Sequence, residues 1–175
     1  NRSQEAWTVG ETPELSRLAG VLYRVTPQGP QRIQVSSASD AAALAPLRSI
    51  LGTEKKLILG GSSIKLNSAT QSFGYLYFYS LSGGNLSSIR LIDNRQIWSI
   101  ASAENSNEFE NYWIAGNYPR KEDEPLIRPG LLLHAWGSNL KNQTTFDKFN
   151  RNAARVVWMD KYRNMLWVAG IWSKD

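Results

Sequence analysis

The sequence predicts an all-β domain built from tandem copies of one four-stranded antiparallel unit, and three observations carry that prediction. Three segments open alike, Gly20-Val21-Leu22-Tyr23, Gly74-Tyr75-Leu76-Tyr77 and Gly130-Leu131-Leu132-Leu133. Each runs on to an apolar stretch that closes on glycine: Leu57-Ile58-Leu59-Gly60, Trp113-Ile114-Ala115-Gly116 and Trp167-Val168-Ala169-Gly170. The opening and closing glycines lie 40, 42 and 40 residues apart, and 14 residues separate each closing glycine from the next opening one. Chance matches do not keep such a register.

Within each unit, aromatic and β-branched runs separated by turn residues give the same four strands. The first covers Val21 to Val25, Tyr75 to Leu81 and Leu131 to Trp136. The turn after it reads Pro27-Gln28-Gly29-Pro30, Ser82-Gly83-Gly84-Asn85 or Gly137-Ser138-Asn139, and its Gly and Asn residues supply the positive φ of tight hairpins. The second strand lies near Arg32 to Val35, Ser88 to Ile92 and Thr144 to Phe149. The third covers Leu47 to Leu51, Ile97 to Ile100 and Ala154 to Met159, and the fourth is the glycine-ended one. Between the last two come Gly52-Thr53-Glu54, the polar loop Glu104 to Glu110, and Asp160 to Asn164. The stretch Ser39 to Ala45 has three successive alanines after an N-cap-like Ser or Asp; Pro46 limits it to a single helical turn, so it reads as an inter-strand loop. Residues 1–175 thus read as one repeat domain, with units over about 20–60, 74–116 and 130–170 and an orphan closing strand over 7–10, Trp7-Thr8-Val9-Gly10.

Composition fits an ordered domain: 42% of the residues are hydrophobic, 20% charged, and seven are Trp. The net charge of +5 favours anionic partners, but the bases are dispersed, and Arg120-Lys121 is followed at once by Glu122-Asp123-Glu124. No basic stripe marks a nucleic-acid partner. Without cysteine there is no disulfide, zinc knuckle or thiol nucleophile. No apolar run reaches the length of a membrane-spanning helix, and the first residues show no basic-then-apolar leader.

Catalytic constellations are missing as well. The only imidazole, His134, sits in an apolar strand and reads as a strand residue satisfied by a neighbour. Glu122-Asp123-Glu124 and Glu104, Glu108 and Glu110 read as solvated loops, without the spacing of a calcium site. Gly60-Gly61 and Gly83-Gly84 lack the lysine and helix of a phosphate loop. No catalytic residue, metal or cofactor is therefore expected. Asn85 and Asn142 begin Asn-x-Ser/Thr triplets near the same hairpin of successive units, the positions expected to carry glycans in a secretory pathway.

Two architectures close a four-stranded repeat, a β-propeller from four to eight blades and a β-trefoil from three units. Copy number favours the trefoil, and strand detail favours the propeller. An apolar strand ending on glycine, a polar stretch, Gly-φ-Leu-Tyr, a hairpin and a later Trp-Ser-Ile together resemble a kelch-type propeller blade. They are similar to the blades of the fungal Rax2-like cortical markers, matched by Gly116-Asn117-Tyr118, Trp98-Ser99-Ile100 and Tyr77 to Tyr79. The first unit departs from this pattern with Gly60-Gly61-Ser62 and Arg48-Ser49-Ile50, and the third with Gly170-Ile171-Trp172. The resemblance implies a propeller segment of a surface protein, part of a longer chain or of a self-associating ring. The function expected is a non-catalytic protein-interaction module; the alternatives are a trefoil lectin binding glycans and, third, a glycoside-acting enzyme. The recurring Trp and Tyr residues are expected to be mostly core, with Tyr118 and Trp172, just beyond closing glycines, the exposed candidates.

Overall fold

The computed structural model describes residues 5–14, 17–35, 44–64, 72–90, 96–102, 111–117, 130–137, 140, 142–146 and 152–172. The alanine-rich stretch up to Ala43, the Glu104 to Glu110 loop and the Glu122-Asp123-Glu124 cluster lie outside them. The fold is all-β, with thirteen strands in four antiparallel sheets and no α-helix among the described residues.

The first sheet holds β1 (Ala6–Glu14), β2 (Arg17–Thr26) and β3 (Gly29–Ile33). The second holds β4 (Leu47–Gly52), β5 (Lys56–Ile64), β6 (Ser72–Ser80) and β7 (Leu86–Arg90) in chain order. β8 (Gln96–Ser102), β9 (Asn111–Asn117), β10 (Gly130–Trp136) and β11 (Asn142–Phe146) form the third in the same order. β12 (Asn152–Asp160) and β13 (Met165–Trp172) form the fourth.

The sheets are offset from the sequence units by half a unit. Each full sheet joins the last two strands of one unit to the first two of the next, through the β5–β6 and β9–β10 pairings. The strand over Trp7–Gly10, isolated when units are cut at the opening glycines, lies in β1 and pairs with β2 over nine residues. Register also decides which glycines are equivalent. Gly10 lies opposite Val21, Gly61 opposite Tyr75 and Gly116 opposite Leu131, so Gly61, not Gly60, is the counterpart of Gly116.

The sheets pack face to face in succession. Successive strand residues point to opposite faces, so a strand buried on both sides reads as an unbroken apolar run. In β5, Leu57 and Leu59 join Tyr77, Tyr79 and Leu22 in the core against the first sheet. Ile58 points the other way, with Leu76 and Phe78, into the core shared with Ile97, Ile100, Tyr112, Ile114, Leu131 and Leu133 of the third. A third core joins Ala101, Ala115 and Leu132 to Ala154 and Val157 of the fourth. Hydrogen bonds cross between the sheets too: the Ile97 N–H donates to Ser62 Oγ (2.8 Å), and Ser99 Oγ accepts from the Val157 N–H (3.2 Å).

The leading strands β4, β8 and β12 share one irregularity. Each carries a β-bulge beside the closing glycine of its neighbour, at Arg48, Trp98 and Arg155. The bulged residue has no partner in the ladder, which turns its side chain out of the regular alternation. This brings three residues of different sheets together, as described below.

The aromatic residues divide in an unexpected way. Tyr77, Tyr79 and Tyr112 are core residues. Six of the tryptophans are not: Trp7, Trp98, Trp113 and Trp136 are only partly buried, and Trp158 and Trp167 are exposed. The cores are filled mainly by Leu, Ile, Ala and Tyr side chains, with Phe78 and Val157.

Candidate interaction surface

Inward and outward residues alternate cleanly on the fourth sheet. Val157, Met159, Leu166 and Val168 pack on the third sheet. The residues between them face away, with Val156 at 52%, Trp158 at 59% and Trp167 at 50% exposure. Trp158 lies directly opposite Trp167, and Val156 opposite Ala169, so four apolar side chains form one patch. The hairpin beneath is firmly built. The buried Asp160 carboxylate accepts from the Tyr162 and Arg163 N–H groups at 3.1 and 3.2 Å, and Asn164 takes the left-handed turn conformation at φ 51°. Among the described residues β13 pairs with β12 alone.

Beside this sheet, the third sheet presents a row of rings. Trp113 stacks on His134 (4.2 Å between centroids, 8° between planes), and His134 stacks on Trp136 (4.6 Å, 24°). Phe146 tilts against Trp113 at 5.6 Å. His134 Nε2 lies 2.7 Å from Asn111 Oδ1, which assigns the proton to Nε2. Partial burial between two indoles lowers the His134 pKa below the usual imidazole value. The ring is held in place by its two indole neighbours and by Asn111.

The three bulged residues form a column. Arg48 lies over the Trp98 ring with Cζ 4.9 Å from the centroid, and Arg155 over the same ring at 4.3 Å. The guanidinium groups come from the second and fourth sheets, which flank the third. Arg48 Nη2 donates to Glu11 Oε2 of the first sheet at 3.2 Å, so Glu11, Arg48, Trp98 and Arg155 span all four sheets.

Of the residues singled out in the sequence, Asn85 is exposed in the β6–β7 turn and Asn142 is exposed at the start of β11. Tyr118 lies outside the described residues. Trp172 ends β13 opposite Asn152, with its side chain outside the description. Sequence reasoning missed Trp158 and Trp167, because it took recurrent aromatics for core. Val156-Val157-Trp158-Met159 is an unbroken apolar run in the sequence, and only the packing of Val157 and Met159 on one neighbouring sheet shows that Val156 and Trp158 face outward. Arg48-Ser49-Ile50 stood as a departure from Trp98-Ser99-Ile100; the structure makes the two elements complementary, arginine on indole.

Among the described residues no three His, Asp or Glu side chains gather as metal ligands, and no helix is long and apolar enough to cross a membrane. A scan against protein-family models and a search of curated proteins both find no match for this chain.

Proposed function

We propose that this chain is a non-catalytic protein-interaction module built from propeller-type blades, and that the partner at its exposed apolar face is a second copy of itself. The blade reading is supported by consecutive four-stranded antiparallel sheets packed face to face through strands in chain order. A trefoil accounts less well for separate sheets buried on both sides.

The observation that carries the interaction reading is the outer face of β12–β13. On the second and third sheets, the faces directed onward along the chain are covered by the sheet that follows. On the fourth, Val156, Trp158 and Trp167 occupy that position and are exposed. The surface that answers it in the repeat is the opposite face of the first sheet. There Tyr23 and Val25 of β2 point away from the core that holds Leu22, and both are half-buried. A head-to-tail contact between copies repeats the packing already used three times inside the chain.

Sedimentation equilibrium of the full chain tests this reading. The wild type is expected to self-associate as concentration rises through the micromolar range. Trp158→Ser with Trp167→Ser weakens association by about 30-fold or more, in line with the roughly 2 kcal/mol or more carried by buried aromatic anchors. Val25→Glu blocks the other face, and mixing the two blocked variants restores a single contact and yields a dimer. A wild type that stays monomeric to about 100 μM, a range reached by weak specific contacts, refutes the proposal, as does association that neither variant changes.

A further inference from the structure

Among the described residues, the column of bulged residues ends on a charge without a counter-ion. At one end, the Glu11 carboxylate accepts from Arg48, whose guanidinium rests on Trp98. At the other, Arg155 rests on the same indole, and among the described residues it pairs with no carboxylate. Two guanidinium groups therefore lie over one ring, and among the described residues Glu11 is the one carboxylate that pairs with either of them. The local excess has the same sign as the +5 of the whole molecule.

We propose that Arg155 is the receiving group of a carboxylate-binding site that takes the acidic side chain of a peptide partner. The Glu11 half of the column already shows the mode of recognition, a carboxylate accepting from a guanidinium stacked on Trp98. A guanidinium placed over an indole face keeps N–H donors that can make two parallel bonds to a carboxylate. The low polarity of the indole strengthens the contact, and a second anion relieves the repulsion between Arg48 and Arg155. A carboxylate fits better than phosphate. One guanidinium matches a carboxylate fork, whereas a phosphate dianion calls for further donors, and Arg48 is already committed to Glu11. The site is distinct from the outer tryptophan face, so failure of either reading leaves the other standing.

The test uses the full chain and a fluorescein-labelled peptide of alternating glutamate and glycine, with a glutamine-for-glutamate peptide as control. The expected result is binding of the glutamate peptide at least about tenfold tighter than the control, a step of one decade in Kd. That binding weakens as salt rises. Arg155→Gln abolishes the difference between the peptides, and Arg155→Lys, which keeps the charge but loses the fork, reduces it severalfold. Trp158→Ser leaves it intact. Equal binding of the two peptides overturns the proposal, as does an Arg155→Gln variant that binds like wild type. Displacement of the peptide by equimolar inorganic phosphate also overturns it, by making the site one for phosphate. If Arg155→Gln fails to fold by circular dichroism, Arg155→Lys decides the matter, and wild-type binding by that variant overturns the assignment.

Discussion

Equivalent glycines in the repeat are expected to respond in opposite ways to the same substitution. The pairing equates Gly116 of β9 with Gly10 of β1. A Cβ built on Gly116 falls 1.9 Å from the Gln96 carbonyl oxygen of β8, where the strand enters its bulge at Trp98. Real Cβ contacts essentially never fall under 3.0 Å, so β8 must retreat by about 1 Å. It has little room, being paired to β9, tied to Ser62 through the Ile97 N–H and packed on both faces. Gly116→Ala is therefore expected to cost about 3 kcal/mol, the upper part of the range for overpacking. For a chain of this size that lowers Tm by about 6–12 °C. At Gly10 the same Cβ meets only Val21 Cγ2, at an ordinary 3.7 Å. Gly10→Ala is expected to be neutral or to stabilise by about 0.5–1 kcal/mol, because alanine loses less backbone freedom than glycine on folding. Urea unfolding followed by circular dichroism, with an unchanged m value, gives both numbers. A Gly116→Ala midpoint equal to that of Gly10→Ala refutes the close approach at the bulge.

Two titrations follow from the buried polar rings. Because the folded His134 pKa lies below that of the unfolded chain, its neutral form stabilises the fold fully above about pH 6.5, and that contribution is lost as pH falls. Urea midpoints from about pH 8 to 5 should therefore fall more steeply for wild type than for His134→Phe, which keeps the stacking; parallel slopes exclude the effect. Tyr77 moves the other way: burial pushes its phenol up to about 12, although its oxygen accepts from the Ala45 N–H at 3.0 Å. Its contribution is intact below about pH 10 and is lost, by about 2–3 kcal/mol, as pH rises toward the folded value. Tyr77→Phe removes that alkaline loss and costs about 1–3 kcal/mol at neutral pH, where the Ala45 N–H is left without an acceptor. Ultraviolet titration of the phenols in native wild type and variant checks the assignment.

Strand order was readable from the sequence because hairpin chemistry is local. The turns at Gly29, Gly84 and Gly137 do carry positive φ, and the strands fall within a few residues of the runs that announce them. The phase of the repeat was not readable. A period has no starting point, and pairing of β5 with β6 rather than β4 with an earlier strand depends on burial, not on local sequence. The equal spacing that singled out Gly60 came from a one-residue coincidence, since two adjacent glycines stand there and only pairing distinguishes them. The candidate surface was hidden for a related reason. A tryptophan in an alternating strand looks the same whether or not a further sheet lies over it, so nothing local separates Trp113 from Trp158. The arginine and tryptophan column is longer in range still, because each member occupies the same place in a different sheet and only their stacking reveals the relation.

The succession of sheets has a consequence for how the molecule comes apart. Each core joins one sheet to the next, and among the described residues no core joins the first sheet to the fourth. Cooperativity in such an array runs along a line, as in repeat proteins whose stability is a sum of neighbour terms. The second and third sheets are gripped on both sides and open only when a neighbour does. Among the described residues the fourth has two strands and one packed face, so its amides are the first expected to exchange with solvent.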